Sequence, residues 1–226
     1  MKTTWKTERP HWMLLALIVA MATWGWNTLP DKMPVHWNMA GQVDRYGGKF
    51  EGVLLMPLIA LGLYVLLLVL PRLDPGHANY AQFAGVYNVI RFATLATLTT
   101  VYGTMLLAGG GYDIEVSTVI SLATGIMFIV LGGSMGKIRP NWFVGIRTPW
   151  TLSSKVSWIQ THRAGGWLFL IIGSAQIVGG LFLPPSVAIG LMLCLVLGGS
   201  LGLWIYSYYA WRDDSDKTPP AGTSPS

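Results

Sequence analysis

The chain has 226 residues, of which 52% are hydrophobic and only 11% charged, with a mean hydropathy of +0.49. A composition this apolar excludes an ordinary soluble domain and assigns much of the surface to lipid. The net charge of +5 falls in short segments between apolar runs, so it reads as membrane topology rather than as a face for direct nucleic-acid binding.

A helix needs roughly 20 predominantly apolar residues to cross a hydrocarbon core about 30 Å thick. The first such segment runs from Trp12 to Leu29. Lys2, Lys6 and Arg9 precede it and Ala20-Met21-Ala22 lies within it, which is also the pattern of a secretory signal. Under both readings the loop that follows lies outside. That loop, Leu29 to Lys49, has Pro30 and Pro34 opposing helix and Gly41, Gly47 and Gly48 permitting tight turns. It reads as an ordered cap and a candidate docking surface, with His36, Asn38, Asp44, Arg45 and Tyr46 offering polar contacts. Trp37 and Met33 are expected to rest on the membrane interface. His36 and Asp44 alone fall short of a metal ligand set, and no metal or cofactor is expected.

Three spans follow, Val53 to Leu70, Phe83 to Ala108 and Val116 to Met135. Arg91 stands about two turns into the third span, with Asn88 one turn before it. An Arg so near a span end is expected to snorkel to the headgroups. The next connection, Gly136 to Gly166, gathers Lys137, Arg139, Arg147, Lys155 and Arg163 with Trp142, Trp150 and Trp158. Interfacial anchoring accounts for many of these side chains. It does not account for Asn141, Gly145, Arg147, Thr148 and Pro149 in a compact turn, whose buried polar groups must find partners. Ser153 or Ser154 is a candidate N-cap for a short helix through Trp158, on which Trp158 and His162 share a face and their rings meet.

The spans Trp167 to Leu183 and Ser186 to Trp211 form a hairpin at Pro184-Pro185. Gln176, in mid-span, is expected to hydrogen-bond to a neighbouring helix, and Gly132-Gly133, Gly179-Gly180 and Gly198-Gly199 read as close-packing sites. The lone cysteine, Cys194, lies in an apolar run and excludes an intrachain disulfide. Arg212 to Ser226 reads as a disordered tail.

The fold class is therefore all-α, a polytopic membrane helix bundle of about six transmembrane helices. Placing both termini in the cytoplasm leaves only Lys32, Arg45 and Lys49 of the 15 Lys and Arg outside, as the positive-inside rule requires. The chain divides into a cytoplasmic N-terminus (1–11), an N-terminal four-helix part (12–135) with its external loop (30–52), a cytoplasmic loop and interfacial helix (136–166), a C-terminal hairpin (167–211) and a tail (212–226).

Two segments together resemble a known family. The stretch with Pro30, Pro34, His36, Gly41 and Asp44 resembles the N-terminal domain of the SdpI-type membrane proteins, the sporulation-delaying-protein immunity family. The run from Asn141 to Leu152, with Gly145, Arg147, Thr148, Pro149 and Trp150, followed by Trp158, His162 and Arg163, is similar to that family's C-terminal signature. The resemblance implies a non-enzymatic protein of the bacterial cell (inner) membrane that protects against a membrane-acting peptide toxin. It also implies an outer loop facing the toxin, Tyr46 included, and an inner segment that binds a winged-helix repressor. The alternative is a small-solute transporter or permease with Arg91 and Gln176 along its path, although the spans lack paired carboxylates and broken helices. An enzyme is not expected, because neither His36 nor His162 has a nucleophile or acid partner at a recognisable spacing.

Overall fold

A computed structural model describes residues 4–218. Thr4 opens the first helix, α1 (Trp5–Thr28), with a capping box in which its hydroxyl and that of Thr7 each accept the other's backbone N–H. Apolar β1 and polar β2 follow, β1 (Lys32–Trp37) and β2 (Val43–Gly48), paired antiparallel with bulges around His36. A π-helical turn, Phe50–Leu54, leads into α2 (Leu55–Leu73). A 3-10 segment, His77–Phe83, leads into α3 (Ala84–Gly109). Then come α4 (Val116–Met135), a short α5 (Pro149–Ser153), α6 (Lys155–Phe182) and α7 (Pro185–Arg212).

Five helical segments are long and apolar enough to cross a membrane, those of α2, α3, α4, α6 and α7. The sixth expected span falls within α1, a 24-residue helix whose first two turns carry Lys6, Glu8 and Arg9. The bundle is all-α in its spanning part. The ordered cap expected over Leu29 to Lys49 is a β-hairpin, which its prolines and glycines do not predict. Its strands form because Asn38 builds the turn: the Asn38 Oδ1 accepts the N–H groups of Ala40 and Gln42 at 2.9 and 3.0 Å, and Gly41 takes φ +80°.

The hairpin is held onto one end of the bundle by Met33. This side chain is fully buried, not interfacial as expected, and a Cβ at either Gly52 or Gly109 would collide with it. Two glycines thus make the socket for one methionine. The Tyr102 hydroxyl donates to the carbonyl of Val53 at 2.8 Å, tying α3 to the π-helical turn beside this socket.

The closest helix pair is α4 with α6. A Cβ at Gly132 would lie 2.8 Å from the carbonyl oxygen of Gly166, and one at Gly125 would lie 2.9 Å from that of Gly173. These glycines stand at matching spacing on the two antiparallel helices, so the backbones approach where side chains are absent. Gly179, Gly180 and Gly199 also meet neighbouring helices, at Ala188, Ser121 and Leu168, as close-packing glycines do, whereas Gly133 and Gly198 face open space.

Candidate functional site

The loop signature at the opposite end of the bundle is a hydrogen-bonded knot. Asp74, the C-cap of α2, is its anchor and is almost wholly buried. Its carboxylate accepts the N–H of Gly76 at 2.6 Å, the Tyr80 hydroxyl at 2.8 Å and the N–H of Trp142 at 3.0 Å. Asn141 fills the remainder of the turn. Its Oδ1 accepts the N–H groups of Phe143 and Val144 at 3.0 and 2.7 Å, while its Nδ2 donates to the carbonyls of Arg139 and Val144, both at 2.9 Å. Every polar atom of this amide therefore works inside the loop.

His162 closes the knot from α6. The N–H of Ile146 donates to its Nε2 at 3.0 Å, and its Nδ1 faces the carbonyl of Trp158 at 2.8 Å. A nitrogen that accepts an N–H carries no proton, so the ring is neutral with its hydrogen on Nδ1. The ring stacks on Trp158, centroids 4.0 Å apart, as their spacing predicted, and the Trp158 Nε1 donates to the carbonyl of Ile138 at 2.9 Å. Gly145 takes φ +113° directly over the imidazole, where a side chain would collide with Nε2.

Thr148 then starts α5 with a capping box to Thr151, with Pro149 at the first helical position. The Thr148 hydroxyl meets that of Ser207 at 2.9 Å, and the Ser157 hydroxyl donates to the carbonyl of Ser207 at 2.8 Å, which clamps α5 and α6 to α7. Ser154, one of the two expected caps, caps not a short interfacial helix but the full 28-residue α6, because the helix runs unbroken from Lys155 through the span. Trp150 lies edge-on to Trp204 and Tyr208.

Of the expected partner-binding residues, Asn141, Thr148, Trp158 and His162 are thus interior and shape the loop, while Arg147 and Arg163 are exposed. The Arg147 guanidinium donates to the carbonyl of Trp142 at 2.6 Å, leaving its outer edge free toward solvent. Asp74 was not singled out from the sequence. Its signal was available in the helix-ending sequence Leu73-Asp74-Pro75-Gly76, but its partner Trp142 lies 68 positions away.

At the hairpin, Nδ1 of His36 and Oδ1 of Asp44 are 2.6 Å apart and face each other across the strands. Among the described residues no group of three potential metal ligands forms around them. Arg45 pairs with Glu51 at 2.6 Å, Tyr46 and Pro30 are exposed, Pro34 sits within β1, and Gly41 at the tip rests against Ser117 and Pro185 at the starts of α4 and α7. Residues from both halves of the chain therefore meet under the hairpin tip.

Arg91 does not snorkel. It is buried, and its two terminal nitrogens donate to the two carboxylate oxygens of Glu8 on α1 at 2.9 and 2.8 Å. The Tyr64 hydroxyl of α2 donates to Glu8 at 3.0 Å, and Asn88 accepts from Arg91 at 3.2 Å. A buried charge that finds a carboxylate needs no route to water. Gln176 is also buried, but its Oε1 has no partner among the described residues, so the expected bond to a neighbouring helix is not made through that atom. The expected disordered tail is partly ordered: Asp214 accepts from the Ser154 hydroxyl, and the N–H of Thr218 donates to the carbonyl of Ser153 at 3.1 Å. The remainder of that tail, 219–226, lies outside the described residues.

These features define a class, a multi-pass helical membrane protein with a strand hairpin at one end and a rigid polar loop at the other. Two family models match it in that order: a domain of unknown function (DUF1648) over residues 13–61, and the SdpI/YfhL protein family over residues 137–207. The chain is 24% identical over 184 residues, 81% of its length and 86% of the relative's, to the protein named Immunity protein SdpI of Bacillus subtilis (strain 168). The chain is thus similar to the SdpI-type membrane proteins. No solved structure matches it.

Proposed function

We propose that this chain is an immunity protein of the bacterial inner membrane, protecting the cell from a membrane-acting peptide toxin by engaging it at the β-hairpin. The observation that carries the reading is that the hairpin, inside one matched segment, and the polar loop, inside the other, stand at opposite ends of one bundle. The hairpin with His36, Asp44 and Tyr46 is then the outer, toxin-facing surface. The loop bearing Arg147 and Arg163 is the inner surface, where a winged-helix repressor is held. The exposed arginines at the second end suit an acidic patch on such a partner, and the positive-inside rule favours this orientation. The Asn141, Thr148, Trp158 and His162 positions serve by holding the arginines in place. Toxin engagement changes repressor binding only if the two packings of the bundle differ in affinity for both ligands.

The test is survival of a strain sensitive to a membrane-acting peptide. Expression of the intact chain protects it, and paired replacement of His36 and Asp44 by Ala reduces protection at equal membrane abundance. Arg147→Ala keeps protection but weakens capture of the repressor. Equal killing with and without the chain defeats the immunity reading. Modification of a cysteine introduced at Asn38 and of one at Phe143 by the same membrane-impermeant reagent in whole cells defeats the orientation.

A further inference from the structure

We propose that the cleft between α5, the start of α6 and the segment after α7 is a binding site for a phospholipid with an ethanolamine headgroup. The cleft has a volume of about 860 Å³, within the range of small-molecule sites. Its lining is chemically divided. Arg139 and Lys155 are exposed cations in it, and among the described residues neither has a carboxylate within ion-pair distance. Asp216 is an exposed carboxylate that also lines it. Leu152, Val156 and Ile159 supply an apolar wall and are 39%, 38% and 58% exposed.

Position fixes the level of this site in the bilayer. At 1.5 Å per residue, the 28-residue α6 is about 42 Å long, against a hydrocarbon core of about 30 Å. Its first turns, which carry Lys155, Val156 and Ile159, therefore project to the headgroup layer. The aromatic group of Trp150, Trp204 and Tyr208 marks the same level.

A headgroup that fits must satisfy both signs of charge. The phosphate takes Arg139 and Lys155, as basic pockets beside spanning helices do. The primary ammonium, with its three N–H donors, takes Asp216. A choline head has no N–H to donate, and a glycerol head brings no cation to the carboxylate. The first acyl carbons lie along Leu152, Val156 and Ile159. The Asp214 carboxylate is already used by the Ser154 hydroxyl and the N–H of Asp216, and it fixes the rim rather than meeting the lipid.

The experiment is native mass spectrometry of the full chain released from detergent with phosphatidylethanolamine, phosphatidylglycerol or phosphatidylcholine of identical acyl chains. Retention of the ethanolamine lipid about tenfold above the choline lipid is expected, corresponding to ~1.4 kcal/mol. The double variant Arg139→Gln with Lys155→Gln lowers retention of the ethanolamine and choline lipids alike, and Asp216→Asn removes the preference for the ethanolamine lipid over both others. All three side chains are exposed, so these variants keep the parent melting temperature. Equal retention of all three lipids overturns the proposal. So does retention of phosphatidylglycerol equal to that of the ethanolamine lipid, which marks a plain anion site, or a preference that survives both variants.

Discussion

The carboxylate of Glu8 and the guanidinium of Arg91 form two parallel hydrogen bonds, at 2.9 and 2.8 Å, joining the first helix to the third across 83 positions of sequence. Tyr64 of the second helix adds its hydroxyl to the same carboxylate and its ring to the guanidinium, 5.4 Å from the centroid. One ion pair thus fixes three helices, at a depth where neither charge is free to reach water.

Removing one partner strands the other. Glu8→Leu is predicted to cost about 3–5 kcal/mol, because Arg91 stays buried without its counter-charge. Glu8→Leu combined with Arg91→Leu recovers most of that loss, since no charge then has to be buried. Thermal unfolding in detergent measures both, and a single variant as stable as the parent would mean that the guanidinium is solvated.

The His162 ring is predicted to act as a hydrogen-bond acceptor. His162→Phe keeps the stack on Trp158 but orphans the N–H of Ile146, at about 1–3 kcal/mol. Gly145→Ala adds a left-handed backbone penalty of about 1–2 kcal/mol and a collision with the same ring. Both variants are expected to increase protease cleavage within 139–147, and unchanged cleavage would disprove the arrangement.

Neighbouring glycines on α4 are predicted to behave oppositely. Gly132→Ala forces α4 away from α6 and costs about 1–3 kcal/mol. Gly133→Ala meets nothing within 4 Å and gains up to about 1 kcal/mol from helix propensity. Equal melting temperatures for the two variants would refute the close approach.

The Ser154 hydroxyl holds the Asp214 carboxyl below its usual range. A depressed folded value means that the contact stabilises above the ordinary carboxylate value, about 3.9, and fades as pH falls through the lower folded value. Docking of the segment through Thr218 is therefore constant at neutral pH and lost in strong acid. Ser154→Ala should shift that loss toward higher pH, as read by protease access to Lys217. An unshifted midpoint would remove Ser154 as the cause.

The amino-acid sequence alone identified the class of protein. Apolar run length, set by bilayer thickness, located five of the six expected spans, and the four-residue spacing of Trp158 and His162 foretold their stack because helix geometry is local. The composition of Gly136 to Gly166 marked a structured loop, since so many polar and turn-forming residues have no use in a simple anchor. Tertiary structure alone decided which of those residues look inward. Asp74 meets Trp142, Glu8 meets Arg91, and Met33 meets Gly52 and Gly109, each pair separated in sequence and joined only when helices pack. The hairpin likewise needed its socket, because two short strands gain too little from their own pairing to hold together alone. Local patterns report what a segment buries, whereas the partner it is buried against is fixed by the packing of the whole bundle.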